Sequence, residues 1–219
     1  MSIDVYWGSG SPYAWRVLLA LEYKQLPYTG HLLQFSKQEH QSPPILAMNF
    51  RGRVPILKDG EYVVFESLAV LYYLDQKYPE RKIFGGTPEE AGVIMRVICE
   101  YQAYAEPPLM RIVDALFTNT FKPGAGELAE ALHTVAREAR SIEARLAKSD
   151  WVVGETMSAA DMVIFPGLQV LLRALNKPDA GELSARFLPL AANYPALQRW
   201  IARVEAMPGY EKTYPPHWR

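Results

Sequence analysis

Residues 79–88, Pro-Glu-Arg-Lys-Ile-Phe-Gly-Gly-Thr-Pro, divide the chain more sharply than any other feature. Proline at both ends and paired glycine inside give this stretch the composition of a connecting segment. Every convincing strand pattern lies before it and none after it. A sheet must therefore be built from residues 1–78, and residues 89–219 must fold as helices.

The first segment alternates apolar runs with turns. Ile3–Trp7 reads as a strand broken by Gly8-Ser9-Gly10, and Tyr13–Gln25 follows with helical periodicity in Trp15, Val17, Leu18 and Leu21. Leu26-Pro27 ends that helix, because proline disfavours the helical conformation of the preceding residue. Tyr28–Leu33 is a second strand. Ser36–Met48, with Pro43-Pro44 inside, predicts a short or broken helix. Val54–Leu57 and Tyr62–Phe65 flank Lys58-Asp59-Gly60-Glu61, and Asp-Gly between two apolar runs is a hairpin signal. Ser67–Tyr78 closes the segment as a helix stopped by Pro79. The order β-α-β-(α)-β-β-α predicts a parallel pair with a right-handed crossover, extended by an antiparallel hairpin into a mixed four-stranded sheet.

Beyond the break, Glu89–Phe117, Glu127–Leu146, Ser158–Leu175 and Tyr194–Ala206 are helical patterns. The expected fold class is α/β plus all-α: a small domain over 1–78, a linker over 79–88 and a helical domain over 89–219.

Composition narrows the function. Hydrophobic residues make up 49% of the 219, so the chain can build real cores. Lys and Arg total 23 against 24 Asp and Glu, a balance that argues against a dedicated nucleic-acid binder. The single cysteine, Cys99, excludes an internal disulfide and a CxxC centre. No HxH or HExxH pattern occurs among His31, His40, His133 and His217, so no metal site is expected. The opening residues lack a basic and then apolar leader, and no run approaches the roughly 18 apolar residues of a membrane span. The expectation is a cytoplasmic protein.

Three junctions could carry chemistry. Ser11 lies where the first strand becomes the first helix, beside free N–H groups and the positive end of the helix dipole. Such a place favours a thiolate, and it equally suits a plain helix cap. Arg53-Val54-Pro55-Ile56 opens the third strand. A cis bond at Val54–Pro55 would turn the Val54 backbone outward as an edge for a peptide-like ligand, whereas a trans bond would make it an ordinary strand start. Glu66 and Ser67, at a strand-to-helix junction, could hold the ammonium and carboxylate of an amino-acid head group, or simply cap the helix. His40 has polar neighbours and reads as a solvated loop histidine by itself. Ser158-Ala159-Ala160-Asp161 is a structural capping box.

Taken in order, Ser11-Pro12-Tyr13-Ala14-Trp15-Arg16, Arg53-Val54-Pro55-Ile56-Leu57, Phe65-Glu66-Ser67-Leu68-Ala69-Val70, the 79–88 linker and Ser158–Asp161 resemble the glutathione S-transferase superfamily over essentially the whole chain. The resemblance implies a thioredoxin-like first domain that binds glutathione, an all-helical second domain and a homodimer. The chain looks like a serine-type member near the theta and zeta groups. That implies Ser11 as the catalytic residue and Ser11, His40, Arg53, Val54, Glu66 and Ser67 as the glutathione site. His40 and Arg53 fall where theta-like members hold the glycine end of the peptide. The implied activity is transfer of glutathione to small electrophilic hydrophobic substrates. Tyr101, Tyr104, Met110 and Phe117 are candidate apolar walls for that second substrate, or else interhelical core.

Two alternatives accompany this reading: a zeta-like, maleylacetoacetate-type isomerase and a non-catalytic binding protein on the same fold. Zeta members usually carry Ser-Ser-Cys in the first loop, and Pro12-Tyr13 replaces its last two residues here. Tyr6, at the end of the first strand, rivals Ser11, because other transferase groups use a tyrosine close to that place.

Overall fold

The computed structural model describes residues 2–118, 120, 126–185 and 187–219. The chain divides into two compact units, Met1–Ile83 with Ala206–Arg219, and Phe84–Glu205.

The first unit runs β1 (Ile3–Trp7), α1 (Pro12–Lys24), β2 (Tyr28–Leu32), α2 (Pro43–Met48), β3 (Ile56–Asp59), β4 (Tyr62–Phe65) and α3 (Ser67–Lys77). The sheet order is β2-β1-β3-β4. β1 pairs parallel with β2, opposing Tyr6 to His31, and antiparallel with β3, opposing Tyr6 to Ile56. β3 and β4 form the hairpin, with Asp59 opposite Tyr62. The third strand starts two residues later than its apolar pattern indicates. Pro55 has no N–H to give the ladder, so pairing begins at Ile56.

Helix α1 is buried on nearly every side, with Ala14, Val17, Leu19, Ala20 and Leu21 at 0% exposure. It packs on α3 and on the short helix Tyr210–Thr213, while Trp15 Nε1 donates to Thr213 Oγ1 at 2.9 Å. Residues 206–219 are thus grouped with the first unit, whereas the sequence reading placed all of 89–219 in the helical domain. The segment bears several aromatic rings but is too short for a periodic pattern to show where it docks.

The second unit contains α4 (Pro88–Glu100), α5 (Glu106–Phe117), α6 (Gly126–Leu146), α7 (Ala159–Leu175), α8 (Gly181–Ala185), α9 (Leu190–Asn193) and α10 (Pro195–Glu205). α11 is the Tyr210–Thr213 helix of the first unit. The expected single helix over 89–117 is interrupted by a π-helical turn at Tyr101–Ala105, where the Glu106 N–H bonds five residues back to Tyr101. Pro107 and Pro108 lack the N–H groups that the Ala103 and Tyr104 carbonyls would need. Helix α7 forms the core of the unit, and the Ser158–Asp161 box starts it. The Asp161 carboxylate accepts from Val152 N (2.9 Å), Ser158 N (2.9 Å), Ser158 Oγ (2.8 Å) and Trp200 Nε1 (2.8 Å). Complete burial pushes its carboxyl upward in spite of these donors.

Candidate functional site

All six residues singled out from the sequence border one open cavity of about 690 Å³ in the first unit: Ser11, His40, Arg53, Val54, Glu66 and Ser67. That volume is within the usual range for small-molecule sites.

Ser11 is the N-cap of α1. Its Oγ accepts from Ala14 N at 3.3 Å, and Pro12 occupies the first helical position. The cap and the chemical reading of Ser11 are compatible, because an accepting hydroxyl still has a proton to donate. Tyr6 is placed differently. Its ring stacks on His31 at 4.6 Å and 14°, His31 Nε2 lies 2.7 Å from Asp4 Oδ1, and Tyr6 does not border the cavity.

The Val54–Pro55 bond is cis, as is Leu188–Pro189, which the sequence reading did not anticipate. Two side chains missed in the sequence hold the loop ahead of Val54. Asn49, 3% exposed, donates from Nδ2 to the Arg53 carbonyl at 2.9 Å and accepts from Arg51 N at 3.2 Å. Gln41 Nε2 donates to the Gly52 carbonyl at 3.3 Å. Gly52 has φ +57°, and a Cβ there would lie 2.4 Å from Gln41 Nε2. Asn and Gly in Asn49-Phe50-Arg51-Gly52 are turn formers, the one local signal that could have drawn attention to this loop.

Glu66 is exposed and sits at φ 69°, ψ 113°, an unusual conformation for a residue with a side chain. It is the N-cap of α3 but makes no side-chain cap, so the first-turn N–H groups of that helix lack this common partner. Ser67 is the first residue of the helix, and its Oγ accepts from Arg16 Nη1 at 3.3 Å. Arg16 is wholly buried, with its guanidinium over the Tyr13 ring at 4.8 Å.

His40 packs edge-on against Phe35 at 5.0 Å, and its buried Nδ1 has no hydrogen-bond partner among the described residues. Arg51 and Arg53 add positive charge to the rim, while Glu66 supplies the negative group. The cavity can thus receive carboxylates, an ammonium group and a peptide edge together. Among the described residues no cluster of His, Cys, Asp and Glu could hold a metal ion.

Residues 6–82 match the glutathione S-transferase N-terminal domain and residues 105–208 the C-terminal domain of the same family. The chain belongs to the glutathione S-transferase family. It is 29% identical over 225 residues to glutathione S-transferase A of Pleuronectes platessa, covering 99% of this chain and 92% of that one. A crystal structure of a glutathione S-transferase from the Antarctic clam Laternula elliptica superposes with TM-score 0.85 at 30% identity, over 100% of this chain and 94% of the other. Maleylacetoacetate isomerase of Pseudomonas aeruginosa is 27% identical over 209 residues, 91% of this chain and 94% of its own.

Of the four residues read as walls for a second substrate or else as interhelical core, Tyr101 is 5% exposed and belongs to the core of the second unit. Tyr104 and Phe117 are exposed at 59% and 44%, and Met110 is half-buried. Among the described residues no helix is long and apolar enough to cross a membrane.

Proposed function

We propose that the chain is a serine-type glutathione transferase that carries the glutathione thiol as thiolate to small electrophilic hydrophobic substrates. The observation that carries this reading is the common cavity: a helix-capping hydroxyl at Ser11, the cis-Pro edge at Val54, and Glu66 with Ser67 at a second helix start.

Glutathione has an ammonium and a carboxylate at its γ-glutamyl end, a peptide-like middle bearing the thiol, and a glycine carboxylate. Glu66 accepts from the ammonium, while the Ser67 hydroxyl and the first-turn N–H groups of α3 take the neighbouring carboxylate. The Val54 backbone pairs with the cysteinyl part. His40 and Arg53 take the glycine carboxylate.

A free thiol has a pKa of about 8.5, so holding it near 6.5 requires roughly 2.7 kcal/mol in favour of the thiolate. A hydroxyl bond to a charged acceptor contributes about 1.5–3 kcal/mol, and the start of α1 adds about 0.3–1 kcal/mol. These sums match the requirement. The thiolate then attacks an electrophilic carbon, and the bond to sulfur forms as the leaving group departs. The serine-type assignment near the theta and zeta groups belongs to this proposal, as do a cytoplasmic homodimer and a site that works without metal.

A second reading, a glutathione-dependent isomerase, draws support from the Pseudomonas aeruginosa relative. Pro12-Tyr13 in the first loop favours the transferase. Retention on immobilised glutathione, followed by assays with chlorodinitrobenzene and with maleylacetone, tests both. Turnover of the first compound supports the transferase, turnover of maleylacetone alone the isomerase, and retention without turnover a binding protein.

A further inference from the structure

The loop that presents Ser11 is gripped from the far end of the sequence. Ser9 Oγ lies 2.5 Å from His217 Nδ1, two residues before Ser11. Gly10, between them, has φ +80°, and a Cβ there would lie 2.8 Å from His217 Cε1, so the imidazole rests directly on the turn. The turn is closed by Ser11 N donating to the Gly8 carbonyl at 3.1 Å.

Hydrogen-bond direction follows from the neighbouring residue. The Trp218 indole can only donate, and its Nε1 lies 3.0 Å from His217 Nε2. In the neutral ring Nε2 therefore accepts, the proton resides on Nδ1, and Nδ1–H donates to Ser9 Oγ. This relay is anchored on the helix that Ser11 caps. Trp218 meets the Trp15 ring edge-on at 5.4 Å and the Tyr214 ring at 6.0 Å, and Trp15 donates to Thr213. Lys212 Nζ reaches Glu22 Oε2 at 3.2 Å, near the other end of α1. Residues 210–218 thus lie along α1 and close on the loop before it.

We propose that His217 is a positioning residue: it holds Ser9, and through the Gly8–Ser11 turn it fixes the direction in which the Ser11 hydroxyl points. The claim rests on the serine-type transferase reading. His217 touches neither thiol nor acceptor, so its loss weakens thiolate stabilisation and leaves the carboxylate contacts of glutathione in place.

The test compares His217→Ala, Ser9→Ala, their double variant and His217→Asn in the full chain, with Ser11→Ala beside them. Losing one neutral hydrogen bond should lower kcat about two- to tenfold. KM for glutathione should stay near wild type, and the pH profile of turnover should move upward, in the same direction as for Ser11→Ala and by less. The double variant should be no worse than either single one, and Asn, whose amide can donate in place of Nδ1, should restore most of the loss. Should His217→Ala fail to fold, Ser9→Ala removes the same contact from the loop side. Unchanged turnover in Ser9→Ala, independent multiplying effects, or no recovery with Asn would overturn the proposal while a normal Ser11→Ala loss kept the transferase reading intact. Silence of Ser11→Ala itself would overturn both.

Discussion

Arg16 Nη1 donates to the Ser67 hydroxyl oxygen across 3.3 Å, joining the middle of α1 to the first residue of α3 with the guanidinium wholly buried. Ser67 Oγ is thereby used as an acceptor, and its hydroxyl still has a proton to give to the carboxylate of the proposed glutathione site. Ser67→Ala takes an acceptor from a buried cation and a donor from the ligand. Stability should fall by about 1.5–3 kcal/mol in denaturant unfolding, and glutathione affinity should fall with it. Unaltered stability would show that the Arg16 contact carries no weight.

Asn49 borders the cavity and also holds the backbone that leads into it. Its two bonds tie Arg51 N to the Arg53 carbonyl, and so set the course of the chain into Val54. Asn49→Ala should raise KM for glutathione about tenfold, with a smaller change in kcat at saturation. A loss confined to kcat would contradict this role.

At Glu66, charge and backbone strain can be separated. With φ at 69°, any residue bearing a Cβ is disfavoured there, by about 1 kcal/mol relative to glycine. Glu66→Gly should therefore be more stable than Glu66→Ala by about that amount, while calorimetry should show both binding glutathione weakly and alike. Wild-type affinity in Glu66→Ala would remove the carboxylate from the site.

Asp59 contributes a pH dependence to the stability of the first unit. Burial pushes its carboxyl up, but donors from Lys77 (2.8 Å), Tyr78 (2.6 Å) and Tyr73 (3.0 Å), with the Lys77 charge, outweigh it and hold the group below its ordinary value. A lowered carboxyl contributes stability that is complete above its unfolded pKa of about 3.9 and is lost as pH falls through the lower folded value. Asp59→Asn should cost about 2 kcal/mol or more at pH 7. Its difference from wild type should shrink below about pH 4. A gap in unfolding midpoint that stays constant from pH 7 to pH 3 would contradict this.

Local chemistry made the sheet legible, because apolar runs and the Asp59-Gly60 turn suffice to write its strands. Ser11, Glu66 and Ser67 stood out because each lies at a junction of strand and helix, where backbone donors are open, and Val54 because it stands before a proline at a strand start, whereas His40 and Arg53 came only with the family resemblance. What stayed hidden depends on distant partners. Arg16 reads as an ordinary helix residue until Ser67 is beside it. Asn49 reads as part of a turn until the Arg53 carbonyl is in place. Residues 206–219 have no periodicity to reveal that they lie against α1, and spacing alone left Tyr101 open between a pocket wall and the interhelical core in which it lies.

The central claim, that the Ser11 hydroxyl stabilises the glutathione thiolate, is tested most directly by ultraviolet titration of the bound thiol in wild type, Ser11→Ala and Tyr6→Phe. Loss of a hydrogen bond to a charged sulfur, about 1.5–3 kcal/mol, corresponds to a rise of roughly 1–2 pH units in the thiol pKa. Ser11→Ala should show that rise with little change in glutathione affinity, and Tyr6→Phe, whose ring lies on His31 away from the cavity, should titrate as wild type does. An unmoved pKa in Ser11→Ala together with a raised one in Tyr6→Phe would contradict the serine-type account.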